Sequence, residues 1–394
     1  MSYKLIIALY ITTATIISSC SPEEEGPTIP ISQDAILVTF KGGIDLENLP
    51  NYANQDVPGY IDNDNTTTNH ITDGGAVLGR VLFYDKNLSI DNTISCSSCH
   101  QQGFAFSDPD PASTGVNGTT GRHSMRLVNA RFADEDRFFW NERANSLEEQ
   151  TTMPIQDHIE MGFSGEAGDE DILDLCDKLE AIDYYNELFT FVYGDNEVTE
   201  ARMQLALAQF IRSIQSFDSK YDIGRAQVRN NNDNFPNFTD QENAGKALFT
   251  QGTDFNNNGV RVGGGLGCNR CHRAPAFDID PNSGNNGFIA SLEGENETDT
   301  NVTRSPSLRD LFNPSGTVNG PFMHTGFSEN FEDVLDHYDI IPRSNNNIDR
   351  RLTPDGNPQN LAMTQEEKEA VIAFIKTLTG SGIYTNEKWS DPFN

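Results

Sequence analysis

Two copies of one short pattern constrain this chain more than any other feature: Cys96-Ser97-Ser98-Cys99-His100 and Cys268-Asn269-Arg270-Cys271-His272. C-x-x-C-H is the attachment signature of a c-type haem. The two thiols add across the haem vinyl groups, and the adjacent His is held under the iron. A lone C-x-x-C could equally be a thiol redox pair or half a zinc site. Two copies, each ending in His and each preceded by a similar apolar helix, leave little room for those readings. The helices are Leu78-Gly79-Arg80-Val81-Leu82-Phe83 and Ala244-Gly245-Lys246-Ala247-Leu248-Phe249. With only two copies, the repeat implies duplicated domains, not a solenoid.

The chain has six cysteines, and four belong to these pairs. Cys20 closes Ile17-Ser18-Ser19-Cys20, after Lys4 and an apolar run from Leu5 to Ile17. That run is too short for a membrane-spanning helix and has the shape of a secretory signal. Its end resembles a bacterial lipobox, in which the Cys becomes the lipidated first residue. The expectation is an exported lipoprotein, periplasmic or at the cell surface, held to a bacterial membrane only through Cys20, with residues 1–20 as the signal peptide. Cys176 reads as a buried apolar residue, which leaves no structural disulfide. A formal net charge of −32 argues against nucleic acid as a partner, since phosphate binding needs clustered Lys and Arg. It suits a basic protein partner or plain solubility.

Residues 21–73, opening with Glu23-Glu24-Glu25, read as a polar tether and a weakly structured lead-in. The remainder reads as mostly α, with few or no strands. Asp169 to Tyr193 is helical, with Ile172, Leu173, Leu175, Leu179, Leu188 and Phe189 apolar. Thr199 to Phe217 carries Met203, Leu207, Phe210, Ile211 and Ile214 at spacings of three and four. Thr364 with Glu367 forms a capping box ahead of Val371, Ile372, Phe374, Ile375 and Leu378. These stripes read as core, not as cofactor walls. The polar stretch from Asn230 to Asn237 is the expected junction, dividing haem domains at 74–232 and 233–394.

From Gly74 to Gly380 the sequence resembles the bacterial di-haem cytochrome c peroxidases and their MauG-type relatives. Leu78-Gly79-Arg80, Phe83-Tyr84-Asp85, Leu88-Ser89 and Ile94-Ser95-Cys96 look like that family's approach to its first haem. Phe139-Trp140-Asn141-Glu142-Arg143-Ala144, Leu147-Glu148-Glu149-Gln150, Pro154-Ile155 and Glu160-Met161-Gly162 follow in its order. In the second half, Pro321-Phe322-Met323-His324-Thr325-Gly326 and Phe331-Glu332-Asp333-Val334 resemble its post-haem segment. The resemblance implies two cytochrome-c-like haem domains in tandem, two covalent haems c, and His100 and His272 as proximal iron ligands.

It also implies roles for single residues. Trp140 matches the Trp that relays electrons between the haems. Gln150 matches a distal-pocket Gln, and Glu160 the catalytic Glu over the N-terminal haem. Peroxide O–O heterolysis needs a proton moved from one oxygen to the other, and a carboxylate in an apolar pocket can do both halves. His324 resembles the His that follows the second haem. Tyr338 stands fourteen residues after it, where many of the peroxidases have a Met ligand and MauG-type members a Tyr. Tyr338 is the expected sixth ligand of the C-terminal haem, with Met323 and His337 as alternatives. The loop from Gly115 to Gly121, which in many peroxidases carries a gating His, has none, and His123 stands where the family usually has Asn. Either His123 gates or the N-terminal haem stays open; the open form is the expectation. That Asn normally helps to hold an interdomain calcium ion, and the carbonyls of Asn319 and Pro321 match other parts of the site.

The resemblance therefore implies reduction of hydrogen peroxide to water, with electrons from a small cytochrome c or copper protein; a homodimer is a possible assembly. The alternatives are a MauG-like oxidase of a protein or organic substrate and a non-catalytic electron carrier. Trp140, Gln150 and Glu160 together argue against the carrier, which needs no distal acid.

Overall fold

In the computed structural model, residues 33–134, 137–279, 281–294, 296–342 and 345–394 are described. The signal segment, Cys20 and the acidic run behind it lie outside the described residues. Among the described residues the chain forms α1 (Asp34–Phe40), α2 (Asp73–Tyr84), α3 (Cys96–Cys99), α4 (Leu147–Thr152), α5 (Ile172–Glu180), α6 (Asp183–Tyr193) and α7 (Glu200–Ser213). It continues with α8 (Lys220–Arg225), α9 (Asp240–Thr250), α10 (Phe331–Asp339) and α11 (Gln365–Lys376). Four short strands, β1 (Thr253–Phe255), β2 (Arg261–Gly264), β3 (His272–Arg273) and β4 (Asp278–Ile279), make two separate antiparallel pairs, β1 with β2 and β3 with β4. The chain is mostly helical, with cytochrome-c-like domains.

The two repeats fold alike because of one glycine in each. Helix α2 crosses α7, and α9 crosses α11. A Cβ on Gly79 would stand 2.0 Å from Ala206 O and 2.9 Å from Phe210 Cβ. A Cβ on Gly245 would stand 1.8 Å from Ala370 O and 3.0 Å from Phe374 Cβ. In both halves, then, backbone meets backbone at a Gly–Ala contact, with a Phe packed beside it. The crossing helices start at side-chain caps, of which the Thr364 box was expected from the sequence. Thr72 Oγ1 accepts from Gly75 N at 3.0 Å and Thr199 Oγ1 from Arg202 N at 3.3 Å. Thr239 with Glu242, and Thr364 with Glu367, close capping boxes.

Buried side chains form two clusters. The first joins Val81, Leu82 and Phe83 to Met203, Leu207 and Phe210. The second joins Phe249 to Tyr221, Phe235, Phe277, Phe374 and Ile375.

Four expectations need correction. The 21–73 stretch is not a tether throughout. Ile36, Phe40, Ile44, Leu46 and Tyr52 are buried in the first cluster, and Glu187 accepts hydrogen bonds from Ala35 N and Ile36 N. Ile36, Phe40 and Ile44 recur every four residues, but α1 is only seven residues long and Leu46 and Tyr52 fall outside any period, so the local signal was too short to read. The final segment does not stay with the second half either. Ile383 and Trp389 join the first cluster, Arg80 Nε donates to Ser390 O at 2.6 Å, and Trp389 Nε1 donates to Ser213 Oγ at 3.2 Å. The polar stretch 230–237 is folded rather than a linker. Lys246 Nζ sits 3.8 Å from the centre of the Phe235 ring and donates to Asn231 O and Asp233 O, so the change of cluster falls between Ile214 and Tyr221. Finally, 169–193 is two helices broken at Ala181-Ile182, and Leu173 is 68% exposed at the start of α5.

The crossings predict that Gly79→Ala or Gly245→Ala destabilises the protein by about 1–3 kcal/mol, because overpacking outweighs the better helix propensity of Ala. Chemical denaturation of each variant against wild type measures this.

Candidate active site

The first attachment pair is set by a one-turn helix. Ser95 and Ser98 cap each other's backbone at the start of α3, and the turn ends at His100. Cys96, Cys99 and His100 then line a cavity walled by Phe83, Leu127, Pro154, Met161, Leu207 and Ile211. Cys268, Cys271 and His272 line another, walled by Phe249, Leu266, Leu308, Phe331, Val371 and Ile375. The apolar stripes of α7 and α11, expected to be core alone, thus also face the two cavities. A buried helix offers side chains to both of its sides.

Both histidines are oriented in the same way. His100 Nδ1 lies 3.2 Å from Phe106 O, and His272 Nδ1 lies 3.0 Å from Pro306 O. With Nδ1–H donated to a carbonyl, Nε2 is the nitrogen left for a metal, the usual arrangement for ligating His. Burial pushes both imidazoles down, His272 to about 4, so each is neutral at neutral pH, the form that binds iron. Burial pushes the Cys96 and Cys268 thiols up to about 12 and Cys99 up to about 11. A dithiol redox pair needs the opposite shift. These residues fit two covalently held haems.

Gln150 and Glu160 share the wall of the first cavity with His100. Gln150 lies on α4, which Ser146 caps through Glu149 N at 3.1 Å. The turn carrying Glu160 is fixed by Asp157, whose Oδ1 accepts from Ile159 N at 2.8 Å and Glu160 N at 3.1 Å. From the opposite side, Val116 N donates to Glu160 O at 3.0 Å and Asn117 N to Ile159 O at 3.1 Å. This approach requires Gly115, where a Cβ would lie 2.1 Å from Ile159 O. Burial, and then the charge of Asp157, raise the Glu160 carboxyl to about 7, with Arg143 opposing. A carboxyl at that value can both take and return a proton at neutral pH. His123 is buried, its Nδ1 3.0 Å from Asp110 O and its Nε2 3.4 Å from Ser107 Oγ. Both of its ring nitrogens are therefore engaged within its own loop.

Trp140 lines the large cavity of about 530 Å³ that includes His100, Gln150 and Glu160. It also lines a smaller one that includes His272, Met323 and Tyr338. Its loop is tight. Phe138 pairs with Ala144, and Phe139 (φ 71°) and Glu142 (φ 55°) are left-handed. Such residues cost on the order of 1 kcal/mol each, so neighbours must hold the loop. Trp140 Nε1 donates to His123 O at 2.7 Å, and Trp140 O accepts from Thr303 N at 2.9 Å and Arg304 N at 3.0 Å. The His324 ring is 6.1 Å from the Trp140 ring, and His324 Nε2 lies 2.8 Å from Ala290 O.

Tyr338, on α10, lines both cavities that contain His272, whereas Met323 lines one. Asn286 Nδ2 donates to the Tyr338 hydroxyl at 3.0 Å and lies 3.8 Å from Met323 Sδ. The two candidate ligands thus converge on one carboxamide. His337 Nε2 is 3.0 Å from Asn286 O and lines neither cavity. Burial holds the Tyr338 phenol above its ordinary pKa. Asn286 and Asp157 are site residues that sequence reasoning missed, since no motif marks an isolated Asn or Asp.

The expected calcium position does not fit that ion. Asn319 O already accepts from Arg126 Nη2 at 2.7 Å, and the Pro321 side of the site lies next to it in the chain. A cation ~4 Å from a guanidinium would meet repulsion of about 4 kcal/mol per unit of its charge at an effective dielectric of 20. Among the described residues no group of three or more His, Cys, Asp or Glu side chains could hold a metal ion.

Comparison with known proteins places relatives along most of the chain. The family model described as di-haem cytochrome c peroxidase matches residues 74–230. The chain is 26% identical over 329 residues to methylamine utilization protein MauG of Methylophilus methylotrophus, covering 80% of this chain and 85% of that protein. It is 26% identical over 316 residues to cytochrome c551 peroxidase of Nitrosomonas europaea, covering 77% and 80%. A solved MauG-like protein associated with microbial copper homeostasis aligns with TM-score 0.66 at 26% identity, covering 86% of this chain and 99% of that one. With two C-x-x-C-H cavities of matching design, the chain carries over residues 74–230 the match to the di-haem cytochrome c peroxidase family, and it is similar to that family's members over most of its length.

Proposed function

We propose that the chain reduces hydrogen peroxide to water at the His100 cavity, with electrons delivered by a small cytochrome c or copper protein at the His272 side. The observation that carries this reading is Glu160, a half-buried carboxyl raised to about 7 on the wall that Cys96, Cys99 and His100 share. Haems held by Cys96, Cys99 and His100 and by Cys268, Cys271 and His272 would supply redox-active iron. Glu160 accepts the peroxide proton and returns it to the departing oxygen. Gln150, on the same wall, orients the substrate by hydrogen bonding. Trp140 stands between the two cavities and bridges them for electron transfer. Asp157 and the backbone of Val116 keep the Glu160 turn in place. Cys20, after the signal-like run, anchors the exported protein to a membrane; no described helix is long and apolar enough to cross one.

A second reading has its own observation. Tyr338, not a Met, lines both cavities at His272 and is held by Asn286. A phenolate oxygen on iron favours higher oxidation states. That supports a MauG-like oxidase drawing electrons from a protein or organic substrate.

Glu160→Gln should slow peroxide reduction by about 10²–10⁴-fold. The wild-type rate should rise with pH about a midpoint near 7, because the carboxyl must be ionised to act as base; the variant should lose this dependence. Stopped-flow peroxide kinetics across pH measure both, and an unchanged rate would sink the assignment. The folded pKa of Glu160 lies above its unfolded value, so stability present below about pH 4.5 is lost as pH rises through 7. Glu160→Gln should therefore gain on the order of 1–3 kcal/mol over wild type by pH 8, seen as a Tm difference that grows with pH. Tyr338→Phe should change the ferric C-terminal haem spectrum if Tyr338 is the ligand. An unaltered spectrum would transfer that role to Met323.

A further inference from the structure

We propose that the Arg126 guanidinium serves as the fixed cation of the domain interface in place of a calcium ion, so that this chain is calcium-independent. Arg126 belongs to the first half, beside His123, and its Nη2 reaches across to Asn319 O at 2.7 Å in the second half. Asn319 is fully buried, and its Nδ2 donates to Asp310 O at 2.8 Å and to the Tyr384 hydroxyl at 2.7 Å. The Tyr384 hydroxyl also lies 3.2 Å from Asp310 Oδ1, and Asp310 is 0% exposed. One guanidinium therefore ties the first half to the second half and to the returning C-terminal segment. Burial pulls the Arg126 guanidinium below its ordinary value, and the Tyr384 phenol and the Asp310 carboxyl oppose that shift.

A calcium site needs oxygen ligands turned toward one point and no competing cation. Here the Asn319 carbonyl is turned toward a guanidinium. Asn319 Oδ1 and Arg126 Nε have no protein partner. One is an acceptor and the other a donor, a pair that ordered water satisfies and a bare cation does not. Where the resemblance calls for the carboxamide of an Asn, His123 stands with both ring nitrogens occupied by Asp110 O and Ser107 Oγ. The covalent cation also has a kinetic consequence. The interface cannot loosen by losing an ion to a chelator.

The test uses the purified di-haem protein, passed through buffer containing calcium chloride or the chelator EGTA. Metal content, Tm and the Soret spectrum are then measured. The expected result is two irons per chain, no stoichiometric calcium, and the same Tm and spectrum in both buffers. About one calcium per chain, or a Tm or spectrum that changes on chelation, overturns the proposal. That would show Arg126 turned away and the carbonyls free for the ion. Arg126→Gln should lower Tm by about 5 °C or more, because buried acceptors lose their cation. A Tm equal to wild type would also overturn it. If the variant fails to fold, the wild-type measurements decide alone.

Discussion

One hydrogen bond per half governs the chemistry of this protein: a cavity-lining histidine gives its Nδ1 proton to a backbone carbonyl. Phe106 O accepts it from His100 and Pro306 O from His272. The bond fixes the tautomer and leaves Nε2 free on a ring that lines an apolar cavity, and burial keeps the ring neutral. The helix crossings at Gly79 and Gly245 build the walls, and the Cys pairs sit where a macrocycle can be tethered. The distal groups are useful only because the proximal ring points at the space they surround.

The halves then differ in what faces that space. At His100 it is Glu160 and Gln150, the first with its pKa raised by burial and by Asp157. At His272 it is Tyr338, gathered with Met323 around Asn286. An acid and an amide suit proton transfer to a small oxidant. A phenol close to iron suits a closed, electron-handling site. Trp140 occupies the wall between, held by His123 O on one side and by Thr303 N and Arg304 N on the other. The groups that connect the cavities also lock the halves together, so electronic coupling and mechanical coupling share residues.

The haem motifs, the duplicated helix and the Thr364 cap were legible in sequence because each is local. A C-x-x-C-H, an apolar period of 3.6 or a Thr three residues before a Glu needs no distant partner to be recognised. Gln150, Glu160 and Tyr338 were found through family motifs; their place on the cavity walls comes from folding. Contacts between distant parts of the chain were not legible. Ile36 and Tyr52 in the lead-in and Trp389 at the far end complete the first core through partners more than a hundred residues away. Arg126 looks like a surface charge in sequence and is instead the donor that meets Asn319. Asn286 is one Asn among many until its carboxamide is seen against Tyr338.

Intact-protein mass spectrometry of material matured in a haem-competent host, followed by proteolytic mapping, tests the central claim most directly. The expected product is a coloured protein heavier by two haems, one on the peptide holding Cys96 and Cys99 and the other on the peptide holding Cys268 and Cys271. A colourless product at the polypeptide mass, or haem on one peptide alone, would contradict it.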